Sequence, residues 1–347
     1  MAKQASASSL DGLKQDLKTG NFRPCYIFWG EETYLLRHYL KELHKKLVDP
    51  LTEEFNYHRF SSENFQLDDL WNSVENLPMM AERTMVRVDD VDLFKLAEDQ
   101  REKLIAILND LPEYCCMVFT YAASSYKPDR RSKKLYDAIS RNAFTVEFPR
   151  QSPRELTTWI IRHFKPYKKT ISNQLCGYLI EITGGTMSAL SGEIDKIASY
   201  AVGDEIRKSD IDAVVEPVLD AVVFDMTDAL GEGDYDRALG MLQKLFKMQQ
   251  EPIAILGAVG AHLRRLSAAR ILMDAGRGGD DLMQVCGMKD YPARKTMAAA
   301  KHFSSRFCAR AADLVLDTDS KLKTSFDDPQ RLMELLLLQL AQEARNG

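Results

Sequence analysis

The stretch CYIFWGEETYLLRHYLKEL, residues 25–43, holds an apolar run from Cys25 to Trp29, a glycine, and then a helical pattern. A run that short, bounded by glycine and rich in aromatic side chains, reads as a strand. The apolar positions after Glu32 recur at the spacing of one helix face. Strand, glycine turn and helix in that order open a P-loop domain. Yet a working G-x-x-x-x-G-K-[ST] loop needs a second glycine, a lysine and a hydroxyl after its first glycine. Counting from Gly30, those positions hold Leu35, Leu36 and Arg37. Glycines in such a loop let backbone N–H groups approach phosphate, and the lysine neutralises its charge. Glu31 and Glu32 put negative charge at the helix start instead, which suits the helix dipole and repels a triphosphate. Bulky Tyr34 and Leu35 obstruct the backbone cradle. Taken singly, the loop reads as an ordinary turn in an α/β protein; the other reading is a phosphate loop that has lost its chemistry.

Outward from this stretch, the first 150 residues alternate strand and helix signals. Strands are expected at Cys25–Trp29, Asn56–Ser61, Thr84–Asp89, Cys115–Tyr121 and Ala143–Phe148. Helical runs lie between them at Glu32–Leu47, Leu67–Glu75, Ala97–Leu108 and Ser132–Arg141. That alternation predicts a parallel sheet covered on both faces. From Arg154 onward the pattern is helical throughout. Ser152 is placed to cap a helix that Pro153 begins. Helices Arg154–Phe164, Ile171–Ile182 and Met187–Ala201 follow, with TGG at 183–185 as a break and a short helix capped by Ser209 before Pro217. Six more helical runs fill the rest: Phe224–Leu230, Tyr235–Lys247, Ile253–Ala275, Tyr291–Phe303, Ser305–Thr318 and Gln330–Arg345. Gly231, Gly233, GRGGDD at 276–281 and FDDPQ at 326–330 punctuate them. The fold class is thus α/β plus all-α, with domains expected at 1–150, 151–217 and 218–347.

The chain is 347 residues long, too many for one ordinary core. Its net charge of −5 does not predict nucleic-acid binding in bulk, so any DNA contact needs a local basic face. Six scattered cysteines with no CxxC pair offer neither a zinc site nor a disulfide framework, and point to a reducing cytoplasm. The first residues lack the apolar core of a signal peptide, and no run of eighteen apolar residues spans a membrane. The six histidines form no HxxxH or HExxH pattern, and there is no GxSxG.

Three other stretches carry candidate chemistry. In TMVRVDD, Asp89 and Asp90 close an apolar strand where an active NTPase holds magnesium. Without the loop lysine and hydroxyl the metal has no phosphate to bridge, so these acids read as strand-end residues or a remnant. In WNSVENLPMMAERTMVRV (71–88), the helix from Leu67 should end before Pro78, leaving Leu77, Met79 and Met80 on a turn at a sheet edge. Methionine is flexible and polarisable, which suits a protein-binding plug, although such residues taken alone also read as core. Finally, KPYKK (165–169) and the helix carrying Arg264, Arg265 and Arg270 are basic stretches that could touch phosphate or form a solvated face.

Taken in order, CYIFWGEETYLLRHYL, LPMMAERTMVRVDD, TGGTMSALSGEIDKIASY and PQRLMELLLLQLA resemble the delta subunits of bacterial DNA polymerase III clamp loaders, over nearly the whole chain. The resemblance implies a degenerate AAA+ parallel-sheet domain, a helical lid and a C-terminal helical collar that joins a pentameric ring. It implies no hydrolysis of ATP by this chain and no cofactor. In AAA+ lids a G-x-x-R arginine reaches the γ-phosphate; three residues after Gly184 this chain has Met187. The implied partners are the beta sliding clamp, which this subunit would bind and hold open at one interface, the gamma/tau and delta-prime subunits, and primer-template DNA within the complex. The implied location is the cytoplasmic replisome. The clamp-contacting residues map onto Leu77, Met79 and Met80, with Met79–Met80 standing where the family more often has leucine and phenylalanine. Arg264, Arg265 and Arg270 are candidate DNA contacts. The competing readings are an atypical P-loop ATPase built on Asp89 and Asp90, and a stand-alone DNA-binding module.

Overall fold

The structure, a computed structural model, describes residues 2–288 and 290–346. It falls into two compact units, residues 1–159 with 186–191, and residues 160–185 with 192–347.

In chain order the first unit runs α1 (Ala2–Thr19), β1 (Cys25–Gly30), α2 (Thr33–Leu47), α3 (Glu53–Asn56), β2 (Tyr57–Ser61), α4 (Leu67–Glu75), β3 (Thr84–Asp89), α5 (Glu98–Asn109), β4 (Cys115–Ala122), α6 (Lys133–Asn142) and β5 (Phe144–Phe148). The five strands form one parallel sheet in the order β2-β3-β4-β1-β5. Alternation along each strand divides the core. Cys25 and Ile27 of β1, Val86 and Val88 of β3, and Met117 and Phe119 of β4 face one way, with Leu70 of α4, Leu104 of α5 and Leu135 of α6. Tyr26, Phe28, Met85, Cys116, Val118 and Phe148 face the other, with Leu13 of α1 and Leu36, Leu40 and Leu43 of α2. Both faces of a parallel sheet must be covered, and the period of two in the side chains supplies each cover with its own apolar set.

Each expected strand is present to within a residue at either end. Asn56 is the instructive exception: it ends a helical turn instead of opening β2, and its side chain is used elsewhere. Helix α1 was not anticipated. Its apolar residues are sparse, but Leu13 is fully buried, and a Cβ on Gly12 would lie 2.7 Å from the Phe144 ring. The helix lies that close to β5 because position 12 has no side chain.

Beyond the sheet come α7 (Pro153–Phe164), α8 (Asn173–Ile182), α9 (Met187–Tyr200), α10 (Lys208–Val214), α11 (Leu219–Glu232), α12 (Tyr235–Lys247), α13 (Pro252–Asp274), α14 (Gly279–Cys286), α15 (Asp290–Ala299), α16 (Ser305–Thr324) and α17 (Pro329–Asn346). Ser152 caps α7 as expected. Its hydroxyl accepts from the Glu155 N–H at 3.3 Å, while Glu155 accepts from the Ser152 N–H at 2.7 Å, a reciprocal capping box. The break at 183–185 is real, with Gly184 and Gly185 both in left-handed geometry. The Ser209 cap is not: Ser209 lies inside α10, and the cap residue is Arg207, whose N–H donates to Asp210 at 2.8 Å. The carboxylate reaches back one turn and starts the helix earlier. GRGGDD is likewise not a plain break, because Asp281 accepts from the Gly278 N–H and α14 begins there.

The second unit is organised around α13, which buries Ile255, Leu256, Val259, Leu263, Leu266, Ala269 and Leu272 among α11, α14, α15, α16 and α17. Within it, Lys295 of α15 pairs with Glu181 of α8 and lies 3.6 Å from Asp225 of α11. Lys169 donates to the carbonyls of Ala201 and Gly203 at 2.6 and 2.7 Å, closing the end of α9. A cation beside the terminal carbonyls of a helix is well placed. Lys169, the last lysine of KPYKK, is therefore a structural cap. No described helix is long and apolar enough to cross a membrane.

Candidate functional site

The turn after β1 is closed to phosphate by its own packing. Gly30 has φ +149°, and a Cβ there would lie 2.2 Å from the Phe148 carbonyl oxygen. The glycine is needed so that β1 can lie against the end of β5, not so that a ligand can approach. The Glu32 N–H donates to that same Phe148 carbonyl at 2.9 Å, so an amide that a phosphate loop would offer outward is turned inward. Leu36, at the lysine position, is buried in the core with Leu40 and Leu43. Leu35 packs against the same cluster and Arg37 is exposed. Aromatic rings occupy the neighbouring ends of β1 and β4: Trp29 and Tyr121 lie 5.3 and 5.2 Å from Tyr126, centroid to centroid. Tyr34 meets Trp159 edge to face at 5.4 Å. Met187, where a lid arginine was sought, is buried.

Asp89 is fully committed within the protein. One carboxylate oxygen accepts from Thr120 Oγ1 at 2.5 Å and Arg87 Nε at 2.7 Å, and the other from Arg59 Nε at 2.8 Å. Burial works against its charge, but these three hydrogen bonds outweigh burial and hold the carboxyl below its ordinary range. Asp90 has left-handed backbone geometry, with φ +53°, and accepts from the Ala122 N–H at 3.1 Å. It ties the end of β3 to the end of β4. Among the described residues, no three His, Cys, Asp or Glu side chains converge as metal ligands.

Leu77, Met79 and Met80 have the opposite character. Helix α4 stops at Glu75, ahead of Pro78 as the sequence requires, and Tyr114 Oη donates to the Glu75 carbonyl at 3.0 Å. The chain then turns beside β2, the edge strand of the sheet. Leu77, Met79 and Met80 are 76%, 50% and 88% exposed, which rules out the core reading of these residues. Met80 sits in left-handed geometry at φ +52°, a conformation that costs a side-chain-bearing residue on the order of 1 kcal/mol or more. The turn is pinned from the side by Asn56, at the end of α3. Asn56 Oδ1 accepts from the Met79 N–H at 2.7 Å, and Nδ2 donates to the Met79 carbonyl at 2.8 Å. The residues before this asparagine add two more exposed apolar side chains, Leu51 and Phe55. Sequence reasoning found the three hydrophobics but missed Asn56, which no local pattern links to a residue 23 positions on.

The three arginines of α13 do not make one surface. Arg270 Nε donates to Asp274 at 3.0 Å, and Asp274 is also held by Ser305 at 2.6 Å. Arg264 is exposed and Arg265 half-buried. At about 100° per residue, Arg264 and Arg270 point roughly 120° apart around the helix. Buried His262 lies two residues before Arg264; burial, with help from the charges of Arg265 and Lys295, lowers its pKa to about 4.

The chain is similar to known proteins in sequence and in structure. Residues 26–149 match the family model for the DNA polymerase III delta subunit, and residues 220–340 match that for the C-terminal domain of the same subunit. The chain is 28% identical over 333 residues to the Bacillus subtilis (strain 168) DNA polymerase III subunit delta, covering 94% of this chain and 95% of that one. It is 23% identical over 273 residues to the probable DNA polymerase III subunit delta of Aquifex aeolicus (strain VF5), covering 76% of each. Among solved structures it is similar to the Bacillus subtilis DNA clamp loader delta protein, with a TM-score of 0.64 and 26% identity over 96% of this chain and 99% of that one.

Proposed function

Because this chain belongs to the DNA polymerase III delta subunit family, we propose that it binds the beta sliding clamp through Leu77, Met79 and Met80 and holds one interface of the ring open for loading onto primed DNA. The observation that carries this reading is the turn before β3. Three large apolar side chains stand exposed on a backbone that is held in a strained shape. A soluble protein gains nothing in its own stability from exposing such residues together, and exposed apolar groups of this kind mark interaction sites. Burying each gives roughly 1.5–3 kcal/mol gross, from which ordering and association costs are subtracted.

The chain works by binding. Where an ATPase would hold nucleotide, Leu36 is in the core and Asp89 is saturated by Thr120, Arg87 and Arg59. The reading as an atypical P-loop ATPase therefore has no site to stand on at these residues. In the proposed assembly, residues 1–150 form the clamp-binding AAA+-like domain, 151–217 the lid, and 218–347 the collar through which gamma/tau and delta-prime subunits are joined, in the cytoplasmic replisome. Ring opening is a population shift: this subunit favours the open clamp only by the difference in its affinity for open and closed forms. The separated directions of Arg264, Arg265 and Arg270 do not support a stand-alone DNA-binding module.

The test is calorimetric titration of the purified chain with its cognate sliding clamp, without nucleotide. Wild-type protein binds, and a Met79→Ser, Met80→Ser double variant with an unchanged circular dichroism spectrum loses at least about tenfold in affinity, the loss of two partly buried anchors. Equal binding by both proteins would move the site away from this turn. Binding by neither would remove the clamp as partner.

A further inference from the structure

The turn that carries Leu77, Met79 and Met80 has almost no support of its own. Among the described residues, no main-chain hydrogen bond reaches residues 77–83; the neighbouring ones are Asn76 N–H to Asn72 and Thr84 N–H to Tyr114. The backbone of the whole segment is held by one side chain. Asn56 is fully buried, and its carboxamide lies against the Met79 residue as a strand neighbour would, accepting from the N–H and donating to the carbonyl. Its second amide hydrogen goes to Thr52 Oγ1 at 2.9 Å. The Met79 N–H and carbonyl fix which way the amide faces, because the reversed carboxamide would set donor against donor at the N–H.

We propose that Asn56 is a positioning residue for clamp binding: it pre-forms the 77–80 turn so that the apolar side chains are presented before the partner arrives. The inference rests on the reading of this turn as the docking site. Its physical basis is preorganisation. A loop that samples many shapes binds with an affinity reduced by the fraction of time it spends in the competent one, and fixing it in advance removes that loss. Met80 would not stay in left-handed geometry unaided, since the conformation is costly for any residue with a Cβ. The two bonds to its neighbour Met79 fix the peptide that enters it. The same amide also joins the turn to the segment carrying Leu51 and Phe55, so the two exposed stretches move together.

Asn56→Ala deletes the bonds and leaves every exposed apolar side chain in place. The expected results are a dissociation constant for the cognate sliding clamp raised about tenfold or more, and a Met79 amide that exchanges with solvent at the rate of an open loop. Amides of β3 and β4 keep their protection, which separates loss of positioning from loss of fold. The isosteric Asn56→Asp keeps the bond accepted from Met79 but loses the two donated ones and sets a carboxylate oxygen against the Met79 carbonyl, so it too weakens binding. If Asn56→Ala does not fold, Asn56→Asp decides: weaker binding with protected strands supports the role, and unchanged affinity overturns it. The Met79→Ser, Met80→Ser variant is titrated alongside. Wild-type binding by that variant sinks the docking reading and this one with it. Its collapse beside unchanged affinity in Asn56→Ala, with fast Met79 exchange, overturns the positioning role alone.

Discussion

At the turn after β1, leucines occupy the positions that a phosphate loop gives to glycine and lysine, and Leu36 is sealed in the core. At the turn before β3, residues just as apolar stand in solvent, and a buried polar side chain holds them there. The first turn is held by burial, by the Gly30–Phe148 approach and by the Glu32 N–H; the backbone of the second rests on the hydrogen bonds from Asn56. One has been filled in, and filling it stabilises the fold. The other has been kept open, and its apolar surface contributes nothing to folding. The comparison teaches that apolar content does not distinguish scaffold from function. What the hydrophobic side chains rest on does.

The harshest way to break this contrast is to rebuild the missing loop. A Leu35→Gly, Leu36→Lys, Arg37→Thr variant restores the phosphate-loop residues at their proper spacing. It is expected to lose about 4 kcal/mol or more of stability, from a core cavity and an unpaired buried ammonium, and to bind no ATP in equilibrium dialysis. Nucleotide binding by this variant would mean that the turn is an intact site lacking only its ligands.

A middle-sized effect is expected at Asp89. Asp89→Asn removes the charge from hydrogen bonds with Arg59 and Arg87 and should cost about 1–3 kcal/mol in urea unfolding. The sign with pH follows from its lowered pKa. The stability it contributes is present above its ordinary value of 3.8 and is lost as pH falls through the lower folded value. Wild type should therefore lose its advantage over Asp89→Asn below about pH 4, where the unfolded carboxyl protonates first. An advantage that persists unchanged to pH 2 would show that the carboxylate is not what Arg59 and Arg87 hold.

The smallest effect sharpens the other side. Leu77→Ser should change unfolding free energy by no more than about 0.5 kcal/mol, because the leucine is already in water, while weakening clamp binding several-fold. A large loss of stability would place Leu77 among the structural hydrophobics and erase the distinction.

Much of this was legible in the sequence. The five strands could be read because short apolar runs bounded by glycine, proline and acidic residues have few other readings. Leu77, Met79 and Met80 could be read because Pro78 forces α4 to end before them. What escaped did so for definite reasons. Helix α1 has too few apolar residues to show a stripe and owes its place to Gly12 meeting Phe144. The cap of α10 comes from Asp210 reaching back to a main-chain amide, which moved that helix start, and α14, capped in the same way by Asp281, was passed over because GRGGDD reads as a break. Asn56 acts across the turn on a residue far along the chain, and composition carries no trace of such a bond. The core reading of the methionines also could not be decided from spacing, since exposure is a property of the assembled sheet edge.

The strand order has one more consequence, and it concerns synthesis. β1 lies between β4 and β5 and pairs with no other strand. It leaves the ribosome before either of its partners, which begin only at Cys115 and Phe144. Until then β1 has no hydrogen-bonded strand neighbour, and Tyr26 and Phe28 have only α1 and α2 to pack against. A nascent chain that has already made β2 and β3 can pair those two with each other, but it cannot place them on the centre of the sheet. Only when β4 is made can β1 and the β2–β3 pair be joined into one sheet, with β5 added at the edge. Slow translation through residues 115–148 would prolong the interval in which an unpaired apolar strand is open to aggregation or to a chaperone.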